Sequence, residues 1–213
     1  MAKSFGHRFC SLIAVVFHPL LMPTYIYGVM VFFTTGIIGN LSDAQKLTFM
    51  MLIFVSTFIM PMMVVVLLLL FDEKEFSWQS LFIENAADRV RPFLLVSIIY
   101  GFLSYYMLQT WSNNVAIAAM LAAIAVAILL TAIISRYWKI SAHAVGIGGL
   151  CGCCALLNLH YLQPNLFMVL IGSILLAGIV LSSRVYLHAH TLAQVYSGWV
   201  LGAGVCVLSI VFL

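Results

Sequence analysis

Apolar residues fill seven long runs, at about 11–38, 47–71, 92–110, 115–135, 142–158, 166–182 and 192–213. Each is about the length an α-helix needs to cross a hydrocarbon core roughly 30 Å thick. Only 7% of the side chains are charged and 65% are hydrophobic, whereas a soluble domain carries roughly a quarter charged residues. The chain therefore reads as an all-α, polytopic transmembrane helix bundle of six to seven spans. With no internal repeat or low-complexity linker, residues 1–213 form a single integral membrane domain. The first run is interrupted by His18-Pro19 and Pro23, so it is either one span or an interfacial segment followed by a span. Lys3 and Arg8 precede it as in a signal sequence, yet no small-residue cleavage site follows, so it reads as a retained first span. Pro61 interrupts the second run, which a membrane helix tolerates where a neighbour satisfies the freed carbonyl.

The net charge of +3 comes from nine basic residues scattered over short connections. Nucleic-acid binding needs a basic face, so a membrane-borne partner or substrate is expected instead. The five cysteines, Cys10, Cys151, Cys153, Cys154 and Cys206, are odd in number and lie in or beside apolar runs. No disulfide framework follows, and Cys151-Gly-Cys-Cys154 reads as small helix-packing residues rather than a metal or redox site.

An even number of crossings returns a chain to the same side, so the connection 72–91, the stretch 136–143 and the stretch 183–190 share one membrane face. That face holds Lys3, Arg8, Lys74, Arg89, Arg91, Arg136, Lys139 and Arg184, leaving only Lys46 opposite. The positive-inside rule makes this face cytoplasmic in a plasma or bacterial inner membrane. Within 72–91, Phe76, Trp78, Leu81 and Phe82 either lie along the membrane surface or belong to an ordinary loop.

Polar residues in apolar surroundings are expensive. They concentrate at three places on this face: Arg89-Val-Arg91-Pro92, Lys139-Ile-Ser141-Ala-His143, and Ser183-Arg184 followed by His188 and His190. Each has a use in handling phosphate. Ser141 stands where it caps a helix beginning at Ala142, which turns the positive helix end toward a bound anion. Arg91 and Arg184 suit bidentate contact with phosphate oxygens, and Arg89 and Lys139 support them. Two histidines, His190 and His143, complete a phosphoryl-transfer set, one attacking phosphorus as neutral imidazole and one protonating the leaving alkoxide. Gln194 lies four residues after His190, on the same helical face, within reach to accept a ring N–H and leave the other nitrogen free.

The three segments, over roughly 84–202, resemble the signature of the type 2 phosphatidic acid phosphatase family. That signature reads Lys, six residues, Arg-Pro; then Pro-Ser-Gly-His; then Ser-Arg, five residues, His, three residues, Asp. This chain has Arg91-Pro92, Ile140-Ser141-Ala142-His143, and Ser183-Arg184 followed at the same spacings by His190 and Gln194. It departs at two charged positions, with Glu84 in place of the Lys and Gln194 in place of the Asp. The resemblance implies a six-helix-type core and metal-independent hydrolysis of a phosphate ester or diphosphate, without a cofactor. In that mechanism His190 is the nucleophile that becomes phosphohistidine, and His143 is the acid and base.

The expected function is thus a membrane-embedded lipid phosphate or diphosphate phosphatase whose substrate keeps its tail in the bilayer. The alternative is a catalytically weak or inactive member that binds lipid phosphate headgroups, which Glu84 and Gln194 favour. Other polar residues receive plainer readings: Arg8 and Arg136 as snorkelling anchors, His18 and His160 as histidines bonded to a neighbouring span, and His188 on a different helical face from His190. Ala142, Gly146, Gly149 and Cys153, with Gln194, Gly198 and Gly202, form small-residue stripes that would pack the two His-bearing helices closely. Trp111 and Trp138 are expected as interfacial anchors.

Overall fold

The computed structural model describes residues 5–34, 37–39, 41–71, 87–110, 115–161 and 164–209. These residues are mostly helical with no strand among them, and the protein is a multi-pass membrane protein. The helices are α1 (Phe5–Val16), α2 (Met22–Phe33), α3 (Asp43–Phe54), α4 (Met60–Phe71), α5 (Val90–Thr110), α6 (Val115–Ser135), α7 (Ala142–Tyr161), α8 (Pro164–Tyr186) and α9 (Leu192–Leu208). A π-helical turn, Val55–Ile59, joins α3 to α4. Among the described residues five helical segments are long and apolar enough to span, α5, α6, α7, α8 and the continuous Asp43–Leu68 made by α3, the π turn and α4, or six if α1 and α2, bent by 41° at their break, count as one. The expected seventh span is shorter: α9 has 17 described residues, about 26 Å of helix at 1.5 Å per residue. The connection 72–86, with Phe76, Trp78, Leu81, Phe82 and Glu84, lies outside the described residues, as does Trp111.

Prolines set the two irregularities of the first spans. Pro61 has no N–H for the Thr57 carbonyl one turn earlier, and the Tyr100 hydroxyl from α5 donates to that carbonyl. The freed acceptor is satisfied by a neighbouring helix, as apolar surroundings require. Serines join α5 to α6: Ser97 donates to Ala125 O at 2.9 Å and Ser104 to Ala118 O at 2.7 Å.

The contact that positions the site is α7 on α9. Most of its closest approaches fall where a glycine exposes backbone. A Cβ on Gly152 would stand 2.5 Å from Ala203 O, one on Gly198 2.8 Å from Ser141 O, and Gly148 and Gly202 meet the Trp199 and Val145 carbonyls more closely still. The stripe expected on α7 is therefore shifted. Gly148 and Gly152 make the tight contacts, while Gly146 faces Met22 of α2, because α7 is packed on several sides at once. Cys151, Cys153, Cys154 and Cys206 are buried in the helix packing, and Trp138 is exposed after the end of α6.

Candidate active site

Helix α8 continues past the expected end at 182 and closes after Tyr186, so Ser183-Arg184 sits in its last turn. The stop is a Schellman motif: His188 N–H donates to Val185 O at 2.9 Å and Ala189 N–H to Arg184 O at 3.1 Å. His188 supplies the left-handed residue, φ 53°, and is exposed. Its part is to turn the chain so that Arg184 and His190 reach the same place. α9 then starts with a reciprocal cap: Thr191 Oγ1 accepts from Gln194 N–H at 3.4 Å, and Gln194 Oε1 accepts from Thr191 N–H at 3.1 Å.

That cap fixes Gln194 with its carbonyl oxygen toward His190. The Nδ1 of His190 faces two acceptors, Gln194 Oε1 at 3.3 Å and Lys139 O at 3.2 Å. Both are oxygens that only accept, so Nδ1 carries the proton and the lone pair lies on Nε2. His190 lies between α8 and α9. Burial first, then the Arg184 and Arg89 guanidiniums, push its imidazole down to about 4, against weaker upward pulls from Lys139 O and Gln194. At neutral pH it is an uncharged ring with an open Nε2.

The starts of α7 and α9 are stitched together. Ser141 N–H donates to Gln194 O at 3.3 Å, and Ser141 Oγ caps α7 by accepting Ala144 N–H at 3.4 Å. Ser141 is fully buried. His143, in the first turn of α7, donates Nε2–H to Ala14 O of α1 at 2.9 Å, which leaves Nδ1 unprotonated in the neutral ring.

A pocket of about 390 Å³ opens between these helix ends. Its polar end is lined by His143, His190, Arg184, Arg89 and His18, with Ala142 marking the positive N-terminus of α7. Its apolar extension runs between Phe58 and Met62 of the second span, Phe93 and Val96 of α5, and Ile124 and Ile128 of α6. Ile124 is eleven residues from Ser135 at the site end of α6, a depth of about 16 Å along the helix axis. Arg184 is the most telling group: its Nε is buried without a hydrogen-bond partner among the described residues.

Of the residues singled out from sequence, His190, His143, Arg184 and Arg89 line one pocket. Gln194 and Lys139 contact His190, Lys139 through its main-chain carbonyl, and Ser141 is the cap beneath His143. Arg91 is exposed in the first turn of α5 and is not among the lining residues; Arg89, just before that helix, takes the place at the pocket. His18, read from sequence as an ordinary bonded histidine, also lines it. The signal that could have flagged His18 is its place before Pro19, where a helix must break. Comparison of the chain with protein-family models, with curated proteins and with solved structures found no match.

Proposed function

We propose that the protein is a membrane-embedded phosphatase of lipid phosphates or diphosphates, with the chemistry of the type 2 phosphatidic acid phosphatases, which its motifs resemble. One observation carries this reading: a buried Arg184 nitrogen with no partner among the described residues lies in the same pocket as a neutral His190 whose Nε2 has no partner among them either. A polar group buried without a hydrogen bond is costly, and a phosphate dianion would give this nitrogen a partner. The apolar extension of the pocket accepts an acyl or prenyl tail while the headgroup stays at the helix ends.

In the proposed reaction Arg184, Arg89 and the α7 N-terminus hold the phosphoryl oxygens. His190 Nε2 donates its lone pair to phosphorus, and the bond from phosphorus to the ester oxygen breaks. His143, protonated on both nitrogens when the anion is bound, gives its Nδ1 proton to the departing alkoxide. Water then attacks the phosphohistidine, His143 Nδ1 takes the water's proton, and inorganic phosphate leaves with His190 restored. Lys139 O and Gln194 Oε1 steady the imidazolium formed on phosphorylation, the neutral Gln less strongly than a carboxylate would. No metal takes part. The gathering of basic residues on this face supports a cytoplasmic site by the positive-inside rule.

Gln194 favours a second reading, a binder of phosphate headgroups that turns over slowly or not at all. Phosphate release from polyprenyl diphosphate, phosphatidic acid and phosphatidylglycerophosphate, measured on detergent-purified protein with chelator present, separates the two. The phosphatase reading expects release that His190→Ala abolishes. No release from any of the lipids by folded protein, with headgroup binding retained, leaves the binder.

A further inference from the structure

The break between α1 and α2 builds part of the site from outside the three motif segments. In a continuous helix the Ala14 carbonyl would accept the N–H of His18, four residues on. Here His18 N–H donates to Val15 O at 3.2 Å instead. Ala14 O is thereby released, and it is this carbonyl that receives His143 Nε2–H.

His18 itself leaves the helix, with φ −60° and ψ 138°, and caps the short turn Pro19–Leu21 by accepting Leu20 N–H on Nδ1 at 3.3 Å. A neutral imidazole that accepts on Nδ1 carries its proton on Nε2. Among the described residues that Nε2–H has no acceptor, although His18 lines the pocket with His143, His190 and Arg184. Its ring stands edge-on to that of His143, with centroids 6.0 Å apart. An apolar packing role would leave this donor unused in a pocket that already holds two guanidiniums; an anion uses all of them.

We propose that His18 is a third imidazole of the phosphate site, donating its Nε2–H to a non-bridging oxygen of the bound phosphoryl group. The same break that frees Ala14 O to hold His143 presents this donor. The inference rests on the phosphate-site reading above and extends it to a residue far from the motifs in sequence.

Two substitutions divide the functions of His18. His18→Asn keeps a side-chain acceptor for Leu20 N–H, since Asn is a strong N-cap, but carries nothing at the Nε2 position. His18→Gln reaches to about the Nε2 position and keeps an N–H there. Orthovanadate, a tetrahedral phosphate analogue, is titrated calorimetrically into the detergent-purified full chain, and thermal unfolding is followed on the same samples. Loss of a hydrogen bond to a charged group weakens binding on the order of tenfold or more. His18→Asn is expected to show that loss with an unchanged melting temperature, His18→Gln to recover most of the affinity, and KM for a short-chain phosphatidic acid to rise more than kcat falls. Wild-type affinity in His18→Asn overturns the assignment and leaves the phosphatase reading standing. Wild-type protein that neither binds vanadate nor releases phosphate overturns both. If His18→Asn does not fold, the wild type decides: in ¹⁵N-histidine-labelled protein, with His18 identified by the Gln variant, a His18 Nε2 resonance unmoved by vanadate rejects the contact.

Discussion

Replacing Gly202 by alanine tests whether the α7–α9 contact sets the two-histidine geometry. A Cβ at 202 would stand 2.8 Å from Gly149 N and from Val145 C, and closer to Val145 O. These are backbone atoms, which cannot turn aside as a side-chain tip does. Ordinary carbon contacts run at about 3.5–4.0 Å, so the helices must part by roughly 0.6 Å or more. They carry His143 and His190 near their N-termini, joined by the Ser141 and Lys139 hydrogen bonds. A misplacement of about 1 Å between reacting groups costs on the order of 100-fold in rate, so Gly202→Ala is expected to lower kcat roughly 10- to 100-fold. Overpacking costs about 1–3 kcal/mol, partly offset by the gain of about 0.5–1 kcal/mol from replacing a mid-helix glycine. The control is Gly204→Ala on the same helix, where a Cβ meets nothing within 4 Å. It should keep wild-type kcat and melt no lower than wild type. Phosphate-release kinetics on a short-chain phosphatidic acid, with thermal unfolding of the same preparations, read both effects. A Gly202→Ala protein with kcat within about twofold of wild type would refute the reasoning, since a separation of helices would then not reach the histidines.

Two further outcomes follow from His190. Attack needs the neutral ring, and its imidazole is held at about 4 by burial and the Arg184 and Arg89 charges; kcat/KM, corrected for the substrate's own ionisation, should therefore persist as pH falls through 6.5 and decline only toward about 4. An acid limb centred near 6.5 would show that the site is not desolvated as described. Gln194→Glu keeps the reach that closes the Thr191 cap and adds a carboxylate beside Nδ1, so turnover should be preserved or raised and the acid limb should move upward. Complete loss of turnover in that variant would mean that Gln194 serves another partner.

The helix content was legible because each apolar run is long and its charges fall between runs, and in hydrocarbon a backbone has few other ways to satisfy itself. Each of the seven runs does contain helix. Their ends were less legible. α8 runs to Tyr186 because the chain stops where His188 adopts a left-handed turn, and the identity of a single residue gives weak notice of that. The pairing of His190 with Gln194 was readable from their four-residue spacing, although His190 lies just before the Thr191 cap of α9 rather than on the helix, and it is the cap that turns the Gln194 oxygen toward it. His18 was not readable, since a histidine before a proline announces a break but not what the broken end will face. Arg89 and Arg91, two residues apart, could not be ranked without knowing that α5 begins at Val90 and turns Arg91 outward.

What the sequence by itself determined is therefore local: which stretches must be helices in a membrane, where proline and capping residues interrupt them, and which polar side chains gather at one set of helix ends. Tertiary structure alone decided which of those side chains meet. The glycine contacts of α7 with α9, the release of Ala14 O to His143 and the turning of His18 toward the same pocket depend on helices from distant parts of the chain sharing one space. Hydrophobicity drives the runs into the bilayer without regard to partner; the choice among neighbours rests on close packing and on satisfying each freed carbonyl, and both require the neighbours to be in place.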